Sequence, residues 1–509
     1  MTVRAPASPK RIAVIGAGPG GLAAAMILSH RGFQVEVFET KDRVGGRNAC
    51  LELGPYRFDV GPTFLMMKYI LDEVFEEGGA ASADYLRFVR LEPMYRLEFD
   101  DFALRCFSDP AKIKREIAQA FPGSEQRFDR FHAGESKRFA HMAPCLQQPY
   151  STFGSLFSKN LLKALPHLSL GRTVFQTLYR YFGHEKLALA FSFQSKYLGM
   201  SAWECPAAFS MLGYIEYAFG VYHTMGGLSE ISRAMSRVAE KEGARIHLST
   251  PVKSLIVEGR TAKGVLLENG EKRFYDDVII NADFAWAMEN LVPGGVLKKY
   301  APEQLKRKRF SCSTFMMYLG LDTMCDLPHH TIFMARDYRR NVEDIFNRGI
   351  LSDEISFYVR NASVTDDTLA PTGHSALYVL VPVPNLRGAV DWEETAPAFR
   401  ERVLKAVAAR ARLRDLERHV RAEKIITPAD WLQDYSVYAG ATFNLAHTIP
   451  QMLYFRPRNK FEEIDNCYLV GGGTHPGSGV PTILESGRIA ANMLSKRYGL
   501  PFTSHNKQV

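Results

Sequence analysis

The stretch Lys10–Phe38, "KRIAVIGAGPGGLAAAMILSHRGFQVEVF", followed at once by Glu39, decides the fold. Lys10–Val14 reads as a buried strand, Gly21–His30 as a helix and Gln34–Phe38 as a second strand. Between the first two lies Gly16-Ala17-Gly18-Pro19-Gly20-Gly21, a GxGxxG turn with one glycine to spare. Gly16 permits the tight turn, Gly18 lets the backbone approach a pyrophosphate, and Gly21 lets helix and strand pack closely. The helix N-terminus adds free N–H groups and partial positive charge. Glu39 stands 23 positions after Gly16, where an acidic side chain accepts hydrogen bonds from ribose hydroxyls.

The rest of the chain narrows the class. Its 509 residues suggest two to four structural units, and 33 Phe with 22 Tyr exclude disordered and low-complexity classes. Seven scattered cysteines without a CxxC pair form neither a disulfide framework nor a zinc site and fit a reducing compartment. No metal site is expected, because His329 and His330 are adjacent and point apart. The net charge of +8 favours an anionic partner. Nucleic acid is not that partner: the basic stretch Phe399–Arg421 is expected to be a surface helix, and it lacks interleaved aromatics. Met1–Lys10 holds two prolines and no apolar run, so no secretory signal is read there. Ile12–Leu28 approaches spanning length, but its "GAGPGG" centre would break a lipid-facing helix, and no transmembrane helix is expected. Glu73, Asp100-Asp101 and Asp366-Asp367 read as residues of caps or turns.

A second glycine pair, Gly45-Gly46, precedes Arg47, which would neutralise a pyrophosphate or cap a flavin-side loop. With it, the stretch from Gly16 to Asn48 resembles the opening of the flavoprotein amine oxidase and carotenoid desaturase superfamily. That resemblance implies FAD as cofactor. It also implies an α/β fold: an FAD-binding Rossmann-like domain of the amine oxidase and phytoene desaturase type, with an inserted α+β substrate domain. "FDVGPT", with Pro62 and Thr63, resembles the loop that passes near the flavin. The strand beginning at Pro251-Val252 resembles the one whose backbone holds the adenine. Near the C-terminus, "CYLVGGGTHPGSGVPTILESGRIAANML" is a strand, a glycine-dense turn with Gly472 and Gly473, and a helix starting at Val480. Its GTHPGxGxP form resembles bacterial carotenoid desaturases of the phytoene and dehydrosqualene type. His475 is there either a flavin-polarising group or an anchored turn histidine.

The resemblance runs from about Lys10 to about Arg497 and is strongest to C30 desaturases. It implies a discontinuous FAD-binding domain over 1–95, 225–300 and 440–509, and a substrate domain over 96–224 and 301–439. The implied activity is desaturation of an acyclic C30 isoprenoid (4,4'-diapophytoene, also called dehydrosqualene, or squalene) by hydride transfer to flavin. No single side chain would be indispensable as a base. A C40 phytoene desaturase, a terminal-methyl oxidase and a polyene isomerase or saturase share the fold, as does a flavin-free prenyl-lipid escort protein. "FSMLGYIEYAFGVY" and "STFMMYLG" are candidates for a substrate tunnel. Without a second GxGxxG for NAD(P), dioxygen or a quinone is the expected electron acceptor. Ser155–Lys186 is basic, apolar and broken by Pro166 and Gly171, which suits either helices dipping into an anionic membrane surface or core-facing helices with a solvated basic face. The protein is therefore expected to sit peripherally on the cytoplasmic side of the cell membrane. Its oligomeric state is open.

Overall fold

The computed structural model describes residues 9–502, so most of the N-terminal segment read for a secretory signal lies outside the described residues. Strand β1 (Arg11–Ile15), helix α1 (Pro19–His30) and strand β2 (Gln34–Phe38) follow the expected order. The helix starts two residues early, at Pro19, because proline's fixed φ suits a first helical position and its missing N–H costs nothing there. Strands β3 (Arg245–His247), β4 (Asp277–Ile280) and β5 (Cys467–Leu469) complete a parallel sheet in the order β5-β4-β1-β2-β3. Helices α2 (Ser229–Lys241) and α3 (Val480–Arg497) pack against α1, whose residues Gly20–Ser29 are all buried. A helix buried all round has no polar face, which is why Ile12–Leu28 mimics a membrane span. Among the described residues no helix is long and apolar enough to cross a membrane.

A three-stranded antiparallel sheet, Val252–Glu258, Thr261–Leu267 and Lys272–Phe274, is inserted between β3 and β4. A second large sheet has seven strands, in the order Val420–Ile426, Ser313–Leu321, Ser375–Val383, Phe357–Asn361, His330–Phe333, Tyr95–Glu98 and Ala103–Cys106. Side chains alternate across it. Phe315, Met317, Val359, Leu377 and Val379 pack outward against Trp392, Phe399 and Val403 of the helix Trp392–Arg410. Met316, Tyr318 and Tyr378 point inward, against Tyr56, Phe58 and Val60. Of the tunnel candidates, Phe315 and Met317 are corrected, since they face the outer core, while Met211, Ile215 and Tyr217 are buried. The Ser155–Lys186 region is more broken than a helix pair. It comprises Lys159–Ala164, a 3-10 turn at Leu165–His167, a break with positive φ at Ser169 and Gly171, Val174–Phe182, and the start of Glu185–Ala190.

Glu73 is no surface cap. It lies in the helix Lys68–Glu77, buried within an ion network that ties this helix to α3 and α1. Arg488 Nη1 donates to Glu73 at 2.7 Å and Nε to Glu485 at 3.0 Å, while Arg31 Nη2 donates to Glu77 at 2.7 Å. Arg488→Met should cost about 3–5 kcal/mol, because its carboxylates stay buried without their cation. Thermal unfolding is expected to show a lower Tm at pH 7, and the deficit should narrow towards pH 5 as the abandoned carboxylates take up protons.

Candidate cofactor and substrate site

The two glycine loops meet. Gly16 has φ +97°, and a Cβ there would lie 2.3 Å from the Asn281 carbonyl oxygen. One at Gly21 would lie 2.4 Å from the Gly16 oxygen, so helix and strand pack as closely as the motif predicts. Gly45 N–H donates to Ala17 O at 2.8 Å, while a Cβ at Gly46 would meet nothing nearer than Gly18 Cα at 3.8 Å. Where the loops face each other at Gly46 and Gly18, both sides are therefore glycine backbone. Helices α1 and α3 both start at glycines, Gly18 and Gly479, with no side-chain cap on their N–H groups. Glu39 is buried at the end of β2, accepting from Ala17 N–H at 2.8 Å and Lys41 N–H at 3.0 Å. Thr250 N–H donates to Glu39 O at 2.8 Å, bringing the chain into Val252 beside this corner. Sequence reasoning missed Asn281, at the end of β4. Its Nδ2 donates to Gly16 O at 2.9 Å and Gly18 O at 3.3 Å and so pins the turn.

The C-terminal turn is built by close approach. A Cβ at Gly473 would lie 2.5 Å from Phe284 Cβ, and Val480, the first residue of α3, is buried. Arg456, fully buried and also missed, donates to Gly472 O at 2.6 Å and Thr474 O at 3.0 Å. Burial pushes its pKa down to about 9, since it pairs with carbonyls rather than a carboxylate. His475 is buried edge-on to Tyr150 at 4.9 Å, and burial followed by Arg456 pushes it down to about 3. At neutral pH it carries no charge. Arg47 Nη1 donates to Thr442 O at 2.7 Å, capping the loop before Asn444. Opposite Arg47 is Asp283, pushed up to about 6 by burial even though the guanidinium pulls it down.

The segment Phe58–Thr63 is clasped by the inner face of the seven-stranded sheet. Arg360 Nη1 donates to Asp59 at 2.8 Å and Tyr378 to Gly61 O at 2.7 Å, Tyr318 donates to Val60 O, and the Tyr358 and Thr63 hydroxyls are hydrogen-bonded to each other at 2.9 Å. Ser229 N–H donates to the other Asp59 oxygen at 2.9 Å. Asp366, read earlier as a turn carboxylate, is fully buried. Burial pushes its pKa up, but hydrogen bonds from His223, Thr368 and Gly226 N–H outweigh burial and hold it well below the usual range. Pro62, Phe64, Tyr197, Tyr358 and Leu380 keep some accessibility although they sit deep in the fold, so they border interior space. Behind them Glu216 is fully buried, with Tyr95 donating at 2.7 Å and Gln194 at 2.8 Å; burial pushes it up to about 7. Among the described residues no cluster of three or more His, Cys, Asp or Glu side chains is arranged to hold a metal.

A glycine-walled cradle, two uncapped helix starts and a carboxylate at the end of β2 suit the pyrophosphate and ribose of a dinucleotide. The comparisons agree. A profile of the family described as "Flavin containing amine oxidoreductase" matches residues 19–494. A 4,4'-diapophytoene desaturase (4,4'-diapolycopene-forming) of Methylomonas is 52% identical, over 97% of each chain. An all-trans-zeta-carotene desaturase of Myxococcus xanthus is 37% identical, over 97% of this chain and 94% of its own. A 4,4'-diapophytoene desaturase (4,4'-diaponeurosporene-forming) of Staphylococcus haemolyticus is 32% identical, over 95% and 98%. In fold, cyclohexylamine oxidase from Brevibacterium oxydans is similar at TM-score 0.60 and 15% identity, covering 97% of this chain and all of the other. An oxidoreductase from Methanosarcina mazei reaches TM-score 0.62 at 17% identity, covering 96% of this chain and all of the other. With the glycine cradle in place and the family profile spanning nearly the whole chain, this protein belongs to the flavin-containing amine oxidoreductase family.

Proposed function

We propose that this protein is an FAD-dependent desaturase that introduces conjugated double bonds into an acyclic C30 isoprenoid of the 4,4'-diapophytoene type. The observation that carries the reading is the 52% identity, over 97% of both chains, to a desaturase named for that substrate. Gly16 to Gly21, Glu39, Gly46 and Arg47 are assigned to hold the dinucleotide, with Gly472, Gly473 and Val480 closing the far end. Pro62 and Thr63 lie on the reacting side, and the main chain at Val252 on the adenine side. The division into an FAD part (1–95, 225–300 and 440–509) and a substrate part (96–224 and 301–439) is supported by the two large sheets, with Tyr95–Glu98 crossing the first boundary by strand pairing.

FAD, when bound, supplies the two-electron acceptor that no side chain offers. The protein orients the polyene and keeps water out. Phe64, Tyr197 and Tyr358 cluster on this side, with Phe64 5.4 Å from Tyr197 and 5.7 Å from Tyr358, and aromatic rings tolerate positive charge developing on a carbon chain. Dioxygen or a quinone reoxidises the cofactor in this reading.

The substrate is a membrane hydrocarbon, and one surface suits an anionic leaflet. Phe153 is 61% exposed, Phe157 64%, Leu170 66%, Ile449 55% and Phe455 50%, around a groove lined by Leu156, Leu168, Pro206, Met452 and Leu453. Lys159, Lys163 and Arg172 are exposed in the same segment. Apolar rings flanked by lysines insert while the cations meet headgroups. We place this face on the cytoplasmic leaflet.

A host making 4,4'-diapophytoene should yield lipid extracts with new multi-peaked visible absorption when it carries this gene, and a host making phytoene should not; colour only in the second would make the protein a C40 enzyme. Gly18→Val should purify folded by circular dichroism but without yellow flavin, because the new side chain enters the cradle. Phe153→Ser with Phe157→Ser should reduce co-sedimentation with phosphatidylglycerol vesicles severalfold at unchanged flavin content.

A further inference from the structure

Tyr358 steadies Thr63 beside the cofactor site, but nothing in that role calls for the imidazole of His330 behind it. Both lie on the inner face of the seven-stranded sheet, on neighbouring strands. The Tyr358 hydroxyl is 2.6 Å from His330 Nδ1 and 2.9 Å from Thr63 Oγ1, so it stands between an imidazole and the Phe58–Thr63 loop. His330 is 1% exposed and stacks on Phe64 with ring centroids 4.1 Å apart. Its Nε2 is buried without a protein partner, so the contact with Tyr358 is the ring's one side-chain hydrogen bond among the described residues. Tyr358 borders the interior space, whereas His330 lies behind it.

Resting on the desaturase reading, and replacing the expectation that no side chain is indispensable as a base, we propose that Tyr358 and His330 form the proton relay of the reaction. Tyr358 oxygen takes the proton from the substrate carbon next to the one that loses hydride, and the phenolic proton passes to His330 Nδ1. The balance closes. One C–H bond gives its pair and hydrogen as hydride to the bound cofactor, and the neighbouring C–H bond gives its pair to the new double bond. An O–H bond forms on Tyr358 as its former O–H breaks, and an N–H bond forms on His330. After product leaves, the proton returns through the same two atoms to water.

The surroundings suit this role. Burial first, then Arg360 and His223, push the His330 pKa well below its ordinary value, so the ring is neutral and free to accept. His329 stands edge-on at 4.4 Å and is held neutral in the same way. The carboxylates of the cluster are occupied, Asp59 by Arg360 and Asp366 by His223. A proton beside an allylic cation is far more acidic than any imidazolium, so a weak acceptor suffices if it is in place.

The test uses FAD-loaded enzyme in vesicles, mixed anaerobically with 4,4'-diapophytoene bearing deuterium at the proton-losing carbon. Bleaching of the wild-type flavin checks the desaturase reading itself; its absence would sink that reading, whatever the variants do. Given wild-type bleaching, Tyr358→Phe and His330→Gln are expected to keep full flavin content while product formation falls roughly 10²-fold. The isotope effect at that carbon should rise to a primary value, and added imidazole should partly restore His330→Ala. Wild-type rates with an unchanged isotope effect in Tyr358→Phe would overturn the relay. So would a raised isotope effect confined to Glu216→Gln. If Tyr358→Phe loses its flavin, His330→Gln and the imidazole rescue decide by the same criteria.

Discussion

The ion pair between Arg360 and Asp59 joins the two halves of the molecule. Both groups are buried, and withdrawing two charges from water costs several kcal/mol per ion unless every remaining donor and acceptor is satisfied. Here they largely are: Asp59 also accepts from Ser229 N–H at the start of α2, and Arg360 also faces His223, itself tied to Asp366. The pair thus fixes three elements at one point. Three tyrosines on the same sheet face then hold the next residues of the loop, so the strand register of a sheet built largely from residues 313–426 sets the position of Pro62 and Thr63.

The cofactor end follows a different rule. Close approach of main chain, enforced by glycine at positions where a Cβ would collide with Asn281, Gly16 or Phe284, makes a smooth cradle. Side chains act there mostly on carbonyls: Asn281 on Gly16 and Gly18, Arg47 on Thr442, Arg456 on Gly472 and Thr474. Buried guanidiniums on carbonyls keep net positive charge in the interior, which suits an anionic dinucleotide. The substrate end is lined instead by rings, and burial holds His329 and His330 there neutral while Asp59 and Asp366 keep their charge against Arg360 and His223.

The exposed face around Phe153, Phe157 and Phe455 completes the arrangement. Elsewhere large apolar side chains are mostly buried, and a patch of this kind beside exposed lysines fits a lipid surface better than water. A groove lined by Leu156, Leu168, Met452 and Leu453 opens in the same face.

Much of the cofactor site was legible in the linear chain. GxGxxG, the carboxylate at its fixed distance and the second glycine pair depend on local backbone geometry, and local geometry is written in adjacent residues. The parallel β1-α1-β2 unit and the turn before α3 were legible for the same reason. What the sequence did not disclose are contacts across hundreds of residues: Asn281 on the glycine turn, Arg360 on Asp59, Arg488 among three glutamates, Tyr358 between His330 and Thr63. Glu73 and Asp366 read as cap or turn carboxylates because an isolated acidic residue carries no mark of its partner. Which of Phe315 and Met316 faces the interior was hidden too, since a strand covered on both faces is apolar throughout. Only the register of the folded sheet, set by long-range hydrogen bonding, decides it.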